Sequence, residues 1–158
     1  MDDSLQKALN FAYFYLKFRP RSKQEMNDYL LKKTKRFKWS PEIVEAAMSR
    51  LEEMDLVNDE KFITWYVEQK TARKAKAVFL IKRELHKFGI DKNLIDNYFG
   101  QNEVDEEVAA RGAIGSRWLR WQQLDKQKRF AKAAAFLSRR GFSYDVIKKT
   151  ISKLEDLI

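Results

Sequence analysis

Few side chains in this sequence are of the types that carry out catalysis or bind metals. The 158 residues include no cysteine and a single histidine, His86, which excludes a disulfide, a thiolate nucleophile, a cysteine-ligated zinc and any paired-histidine metal motif. The five glycines form neither a Walker-type phosphate-binding loop nor a GxGxxG motif. Carboxylates at Asp59 and Glu60 follow Asn58 directly, a pattern more typical of a helix N-terminus than of acid–base chemistry. We therefore expect no enzyme activity, no cofactor and no bound metal.

Basic residues are the functional groups that this chain has in excess. Lys and Arg total 32 against 23 Asp and Glu, which gives a net charge of +9. Clustered cations attract polyanions, so an anionic or nucleoprotein partner is expected. The excess is local: residues 17–38 hold nine basic and two acidic groups, residues 70–92 hold eight and two, and residues 126–140 hold six and none.

These three basic segments predict one partner-binding surface. If they align when the chain folds, their cations would form a stripe that follows a nucleic-acid backbone or a filament carrying one. The alternative is three solvated helix faces that do not align, since a charge run usually means exposure. The residues predicted to line the surface are Arg19, Arg21, Lys23, Lys70, Arg73, Lys74, Lys76, Lys82, Arg83, Lys128, Arg129, Lys132, Arg139 and Arg140.

Aromatic residues offer a second type of contact. Rings can stack on unpaired bases, but at helical spacing they more often pack between helices. We favour packing and keep base stacking as the alternative. The aromatic residues concerned are Phe62, Trp65, Tyr66, Trp118, Trp121 and Phe130.

Apolar residues recur at helical spacing along nearly the whole chain. One stripe runs from Leu5 to Leu16, a second from Met26 to Leu30 and a third from Ile43 to Met54. The chain is therefore predicted to be all-α. No apolar run approaches the roughly 20 residues of a membrane-spanning helix, so no membrane association is expected. The acidic start Met1–Ser4 is unlike a secretory signal, and we expect a cytoplasmic protein.

Local signals mark where these helices begin and end. Ser22–Glu25 forms a capping box, and Ser40–Pro41 offers an N-cap hydroxyl followed by proline at the first helical position. In Gly89–Asp91 and Gly141–Ser143 a glycine suited to the left-handed position precedes an N-cap side chain. The glycines of Gly112–Gly115 predict a kink or a close contact inside a helix.

The helix junctions repeat along the chain. Ser40, Asp91 and Ser143 each begin the same pattern of a cap, two mostly polar residues and two branched apolar residues, at intervals of 51 and 52 positions. Such a period indicates stacked units of secondary structure. We predict an elongated or curved array of three tandem three-helix repeats. The predicted repeats are residues 4–57, 58–102 and 103–158.

Aromatic residues upstream of the caps follow nearly the same period. Phe14, Trp65 and Trp118 each fall in the first helix of a predicted repeat. This second set of matched positions supports the repeat interpretation.

Four segments, in order, resemble the RecX family of bacterial modulators of the RecA recombinase. Together they span nearly the whole chain, and the segment Phe136–Ser143 is similar to the family's Arg-Arg-Gly-Phe-Ser pattern in the third repeat. Two positions depart from the family pattern. Phe88 replaces a basic residue, and Ala77–Phe79 replaces a glycine-led basic turn. The other three similar segments are Arg19–Met26, Leu51–Phe62 and Ile81–Asp91.

The resemblance implies a regulator rather than an enzyme. A RecX-like protein would lie in the groove of the RecA filament on DNA and usually inhibit ATP hydrolysis, strand exchange and coprotease activity, with roles in DNA repair, recombination and the SOS response. The implied partner is that filament, with weak direct contact to DNA left open, and we expect a monomer. The competing hypothesis is a stand-alone DNA-binding protein or transcriptional regulator, because short turns such as those at Gly89 and Gly141 also occur in helix-turn-helix motifs.

Overall fold

A computed structural model describes residues 3–72 and 75–158. Within these two ranges the chain folds into ten α-helices and no β-strand, which confirms the all-α prediction. The helices are α1 (Asp3–Leu16), α2 (Lys23–Phe37), α3 (Pro41–Glu53), α4 (Asp59–Ala72), α5 (Val78–Lys87), α6 (Lys92–Gln101), α7 (Glu106–Ile114), α8 (Arg117–Trp121), α9 (Lys126–Arg139) and α10 (Tyr144–Asp156).

The helices form two compact units. The first unit comprises Met1–Trp65 and Leu85–Tyr98, and the second comprises Tyr66–Glu84 and Phe99–Ile158. In the first unit α1, α2 and α3 pack on one another around side chains that are almost fully buried, such as Leu9, Leu30 and Leu51. These residues belong to the three predicted apolar stripes.

The predicted burial of Met54, the last residue of the third apolar stripe, is wrong. Met54 is 42% exposed, because α3 ends at Glu53 and Met54 is already its C-cap. The helical period no longer determines the direction of a side chain once the helix has ended.

The second unit has its own apolar core between α7, α9 and α10. Ile114, Leu137 and Ile151 are at most 2% exposed. Ala75 and Ala77, which precede α5, are buried in the same core. The segment that leads into α5 is therefore anchored against the last helices of the chain.

Side-chain caps form at most of the predicted helix starts. The capping box of Ser22 and Glu25 is complete, and the Ser143 hydroxyl accepts a hydrogen bond of 3.3 Å from the Val146 amide. Pro41 is the first residue of α3 as predicted, but the Ser40 hydroxyl makes no capping hydrogen bond. Ser40 instead contributes its backbone carbonyl, which accepts from the Ile43 amide at 3.0 Å.

The two glycine junctions adopt the predicted left-handed conformation, with φ of 79° at Gly89 and 86° at Gly141. At Gly141 the following amide, that of Phe142, returns to the Leu137 carbonyl at 3.2 Å, as in a Schellman turn. In the first unit Lys38 takes the corresponding position after α2 with φ of 55°. A residue with a Cβ atom thus adopts the backbone conformation that glycine supplies elsewhere.

Where the sequence predicts a kink or a close contact inside one helix, the structure has a helix end instead. Helix α7 ends at Ile114, and Gly115 is its C-cap with φ of 51°. A separate short helix, α8, then begins at Arg117. Gly112, by contrast, lies within α7, and a Cβ atom added there would meet no other group within 4 Å.

We expect Gly141→Ala to destabilise the protein by about 1–3 kcal/mol, because a left-handed alanine is strained. Its Cβ would also lie 2.5 Å from Cγ of Leu80. Gly112→Ala is the matched control and should be neutral or stabilise by up to about 1 kcal/mol, since glycine is a poor helix former. Urea unfolding of the two variants measures both effects. Equal stability of the two variants would contradict the prediction.

Candidate partner-binding surfaces

The predicted binding arginines of the first unit are engaged inside that unit. Arg19 donates two hydrogen bonds to the Glu25 carboxylate, and its guanidinium lies 5.5 Å from the ring centroid of Phe88. The Arg21 guanidinium lies 3.7 Å from the ring centroid of Tyr15, and its Nε donates to the Tyr15 carbonyl at 3.2 Å. These contacts fix the turn between α1 and α2.

Lys23 is more accessible than the two arginines. Its side chain is 50% exposed, and its ammonium group lies 3.7 Å from a carboxylate oxygen of Glu52. Its backbone amide donates to Asp59 at 2.9 Å. Of the three residues predicted to bind in this unit, Lys23 thus has the most exposed side chain.

The second predicted segment lies in the second unit, where Glu84 organises its cations. The Lys76 ammonium donates to one Glu84 oxygen at 2.7 Å, and the Tyr66 hydroxyl donates to the other at 2.8 Å. Burial alone would raise the pKa of Glu84, but these two hydrogen bonds and the nearby charge of Lys70 outweigh it and hold the pKa below its ordinary value. Arg73 and Lys74 lie outside the described residues.

The remaining cations of this segment are on α5. Lys82 is half-buried, with its ammonium 5.3 Å from the ring centroid of Phe99. Arg83 is exposed. Neighbouring positions of the helix therefore differ in how far their charge is available to a partner.

Helix α9 carries an exposed basic face, which consists of Lys128, Lys132 and Arg139. Ala131 and Ala135 lie between these cations and are also exposed. The helix begins at its N-cap Asp125 and contains no acidic residue. This face, the α9 basic face, presents positive charge along several helical turns.

Arg129 is directed into the second unit instead. Its Nε and one terminal nitrogen each donate to the Glu155 carboxylate at 2.7 Å, and the other donates to the Leu124 carbonyl at 2.8 Å. The side chain is 11% exposed, and its guanidinium lies 5.7 Å from the ring centroid of Trp118. Arg129 therefore links α9 to α10.

The fold brings two distant basic segments together in the second unit. The Lys76 amide donates to the Lys70 carbonyl at 3.1 Å, and the next amide, that of Ala77, donates to the Arg140 carbonyl at 3.0 Å. The backbone entering α5 is thus hydrogen bonded to the end of α9. The backbone at Lys76 and Ala77 therefore lies beside the backbone at Arg140, a juxtaposition that sequence spacing did not specify.

Three of the six aromatic residues considered above pack in the interior. Phe62, Tyr66 and Trp118 are 1%, 7% and 5% exposed, which confirms packing for these three. Trp65, Trp121 and Phe130 are half-buried. Sequence reasoning missed the exposed aromatic pair in the first unit, Phe14 and Phe18, which are 55% and 68% exposed.

Comparison with known proteins identifies the family. Residues 8–51 match the family model described as the first three-helix domain of RecX, and residues 105–151 match the third three-helix domain. A regulatory protein RecX from Streptomyces lividans is 30% identical over 142 residues, which cover 89% of this chain and 73% of that protein. The chain belongs to the RecX family.

Further relatives agree with this assignment. The regulatory protein RecX of Bacillus subtilis is 27% identical over 154 residues, which are 97% of this chain and 57% of that protein. The chain thus spans just over half the length of this relative. The crystal structure of RecX from Lactobacillus salivarius superimposes with a TM-score of 0.74 at 25% identity and covers 100% of both chains. The resemblance inferred from four sequence segments is confirmed.

Three further findings concern the relatives' names, membrane spans and metal-binding groups. The relatives named above carry a regulatory name. Among the described residues, none of the helices is long and apolar enough to span a membrane, and no group of three or more metal-binding side chains comes together.

We expect Glu84→Gln to lower stability at neutral pH and to reduce the loss of stability in acid. Because the folded-state pKa of Glu84 lies below the ordinary value of 4.5, its stabilising effect is full above that pH. The effect is lost as the pH falls through the lowered folded-state pKa. Urea unfolding at several pH values between about 3 and 7 should show the two proteins converging in acid.

Glu68→Gln is the control for this experiment, since Glu68 is exposed on α4 and its substitution removes the same charge. If the unfolding free energies of Glu84→Gln and the parent protein differ by the same amount at every pH, folding does not lower the pKa of Glu84.

Proposed function

We propose that this chain binds the RecA filament on DNA, in its groove, and inhibits RecA ATP hydrolysis, strand exchange and coprotease activity. Its membership of a family of regulatory proteins supports a regulatory role in DNA repair and recombination, exerted in the cytoplasm. The observation that carries the proposal is the α9 basic face together with the hydrogen bond from the Ala77 amide to the Arg140 carbonyl, which brings the second basic segment to the end of the third within the second unit.

The α9 basic face suits a regular polyanion. Lys128 and Arg139 are eleven positions apart, which corresponds to about 16 Å along an α-helix. Lys132 lies between them one turn from Lys128, and the small side chains of Ala131 and Ala135 let a partner approach the helix closely. Cations at such intervals can each meet a phosphate group of a nucleic-acid backbone.

Regulation requires only that the chain bind two filament states with different affinity. We propose that the three predicted repeats, residues 4–57, 58–102 and 103–158, contact neighbouring RecA protomers, so that bound protein favours one state of the filament. The left-handed glycines at Gly89 and Gly141 support a repeated helix junction within the second and third of these predicted repeats. No bond-making step is needed for such a mechanism.

A stand-alone DNA reader is the second candidate, favoured by the short turn at Gly141 between α9 and α10. In a helix-turn-helix the second helix reads the bases. Here two lysines of α10 are paired with carboxylates, Lys149 with Asp145 at 3.1 Å and Lys153 with Glu107 at 2.5 Å. A competition gel shift with specific and random duplexes separates the two candidate functions. A sequence-specific DNA-binding protein must bind its specific duplex much more tightly than random duplex.

We expect the protein to inhibit DNA-dependent ATP hydrolysis by RecA at a small fraction of the RecA concentration. Binding across protomers or at filament ends would affect many protomers for each bound molecule. The measurement is ATP hydrolysis by the RecA of the same organism on single-stranded DNA, with this protein titrated in. Inhibition that disappears when more DNA is added would indicate sequestration of DNA and would contradict the proposal.

We expect the double variant Lys132→Gln, Arg139→Gln to bind the filament more weakly and with a flatter salt dependence. The slope of log affinity against log salt should fall by about 1 for each phosphate group that no longer pairs with a cation. The matched control is Lys87→Gln, Lys92→Gln, which removes two exposed lysines outside the α9 basic face. If both double variants bind alike across a salt titration, the α9 basic face is not part of the interface.

A further inference from the structure

An aromatic groove is open to solvent on the first unit. It measures about 460 Å³ and is lined by Lys7, Asn10, Phe11, Phe14 and Phe37. Among the described residues its wall consists of three phenyl rings, one amide and one ammonium group, without a Val, Leu or Ile side chain or a carboxylate. Flat ring faces suit a planar ligand better than a branched aliphatic one.

Phe18 extends this surface just beyond the end of α1. Phe14 and Phe18 are 55% and 68% exposed, and their rings meet edge to face with centroids 5.2 Å apart. The position of Phe14 in the repeat period corresponds to that of Trp118, which is only 5% exposed. The third predicted repeat thus buries its aromatic residue in a core, whereas the first leaves it open to solvent.

Three cations lie at the rings of this groove. The ammonium of Lys7 is 5.1 Å from the ring centroid of Phe37, that of Lys33 is 4.8 Å from Phe11, and the guanidinium of Arg36 is 5.3 Å from Phe37. In the part of the chain that the structure describes, none of these cations forms an ion pair with a carboxylate. Their positive charge is available to an anionic ligand.

We propose that this aromatic groove binds single-stranded nucleic acid. Unpaired bases stack on the exposed faces of Phe14 and Phe18, and backbone phosphates pair with Lys7, Lys33 and Arg36. Exposed rings beside uncompensated cations are the combination that sequence-tolerant binding of single strands uses. The groove belongs to the first unit and the α9 basic face to the second, so this activity goes beyond the proposed regulation and does not require RecA.

The test is fluorescence anisotropy of a labelled oligothymidine of about 16 nucleotides, in the absence of RecA. Phe14→Ala should weaken binding about tenfold or more without changing its salt slope, because a base no longer stacks and no charge is removed. Lys7→Gln should lower the salt slope by about 1. Phe14→Leu, which keeps an apolar side chain but removes the ring, should weaken binding as Phe14→Ala does.

Tyr144→Ala is the matched control. Tyr144 is an aromatic residue of the second unit with 64% exposure, and the Lys148 ammonium lies 5.8 Å from its ring centroid. It therefore shares the exposed ring and the nearby cation with the groove, but lies outside it. We expect this variant to bind the oligonucleotide as the parent protein does.

Two results would overturn the proposal. One is the absence of oligonucleotide binding by the parent protein at low salt. The other is equal affinity of Phe14→Ala and Tyr144→Ala for the oligonucleotide. If Phe14→Ala then also loses binding to DNA-free RecA in a separate binding assay, the groove is assigned to a protein partner. Because the oligonucleotide assay contains no RecA, either result leaves the ATPase test of the proposed regulation independent.

Discussion

The hydrogen bond from the Ala77 amide to the Arg140 carbonyl, 3.0 Å long, determines where the charges of the second unit lie. Each group belongs to a helix end, where backbone donors and acceptors have no partner within the helix. Ala77 precedes α5 and Arg140 follows α9. The free amide at the start of one helix therefore pairs with the free carbonyl at the end of the other. The approach is possible because Gly141 has no side chain where Leu80 lies, and burial of Ala75 and Ala77 holds the segment in place.

The basic residues of this chain are of two types, those paired with carboxylates inside the protein and those whose charge stays in solvent. Arg19 and Arg129 each donate two hydrogen bonds to one carboxylate, which suits the planar fork of a guanidinium. The lysines of the α9 basic face keep their charge in solvent and lie along one helix. Counts of basic residues in a sequence window treat both types alike, so they overstate the number of charges that a partner can reach.

The sequence predicted features that depend on neighbouring residues and failed where distant ones decide. The capping box at Ser22 and the left-handed Gly89 and Gly141 follow from a few residues each, and all are present. The hydrogen bond between Ala77 and Arg140 joins residues far apart in the chain, and no local pattern encodes it. Phe14 and Trp118 occupy matching positions in the repeat but differ in exposure, because the side chains that cover a ring come from other helices.

Charge alone cannot give a filament regulator its selectivity for the filament over bare DNA. At physiological salt the screening length is about 8 Å, so the α9 basic face acts only at contact distance, and any phosphate backbone satisfies its lysines equally. The face carries alanines between its cations, and alanine has no group that hydrogen-bonds to bases. Selectivity in the proposed function must therefore come from contacts with the protein of the filament. Those contacts need to differ between filament states, because a ligand with equal affinity for both states does not change the equilibrium between them.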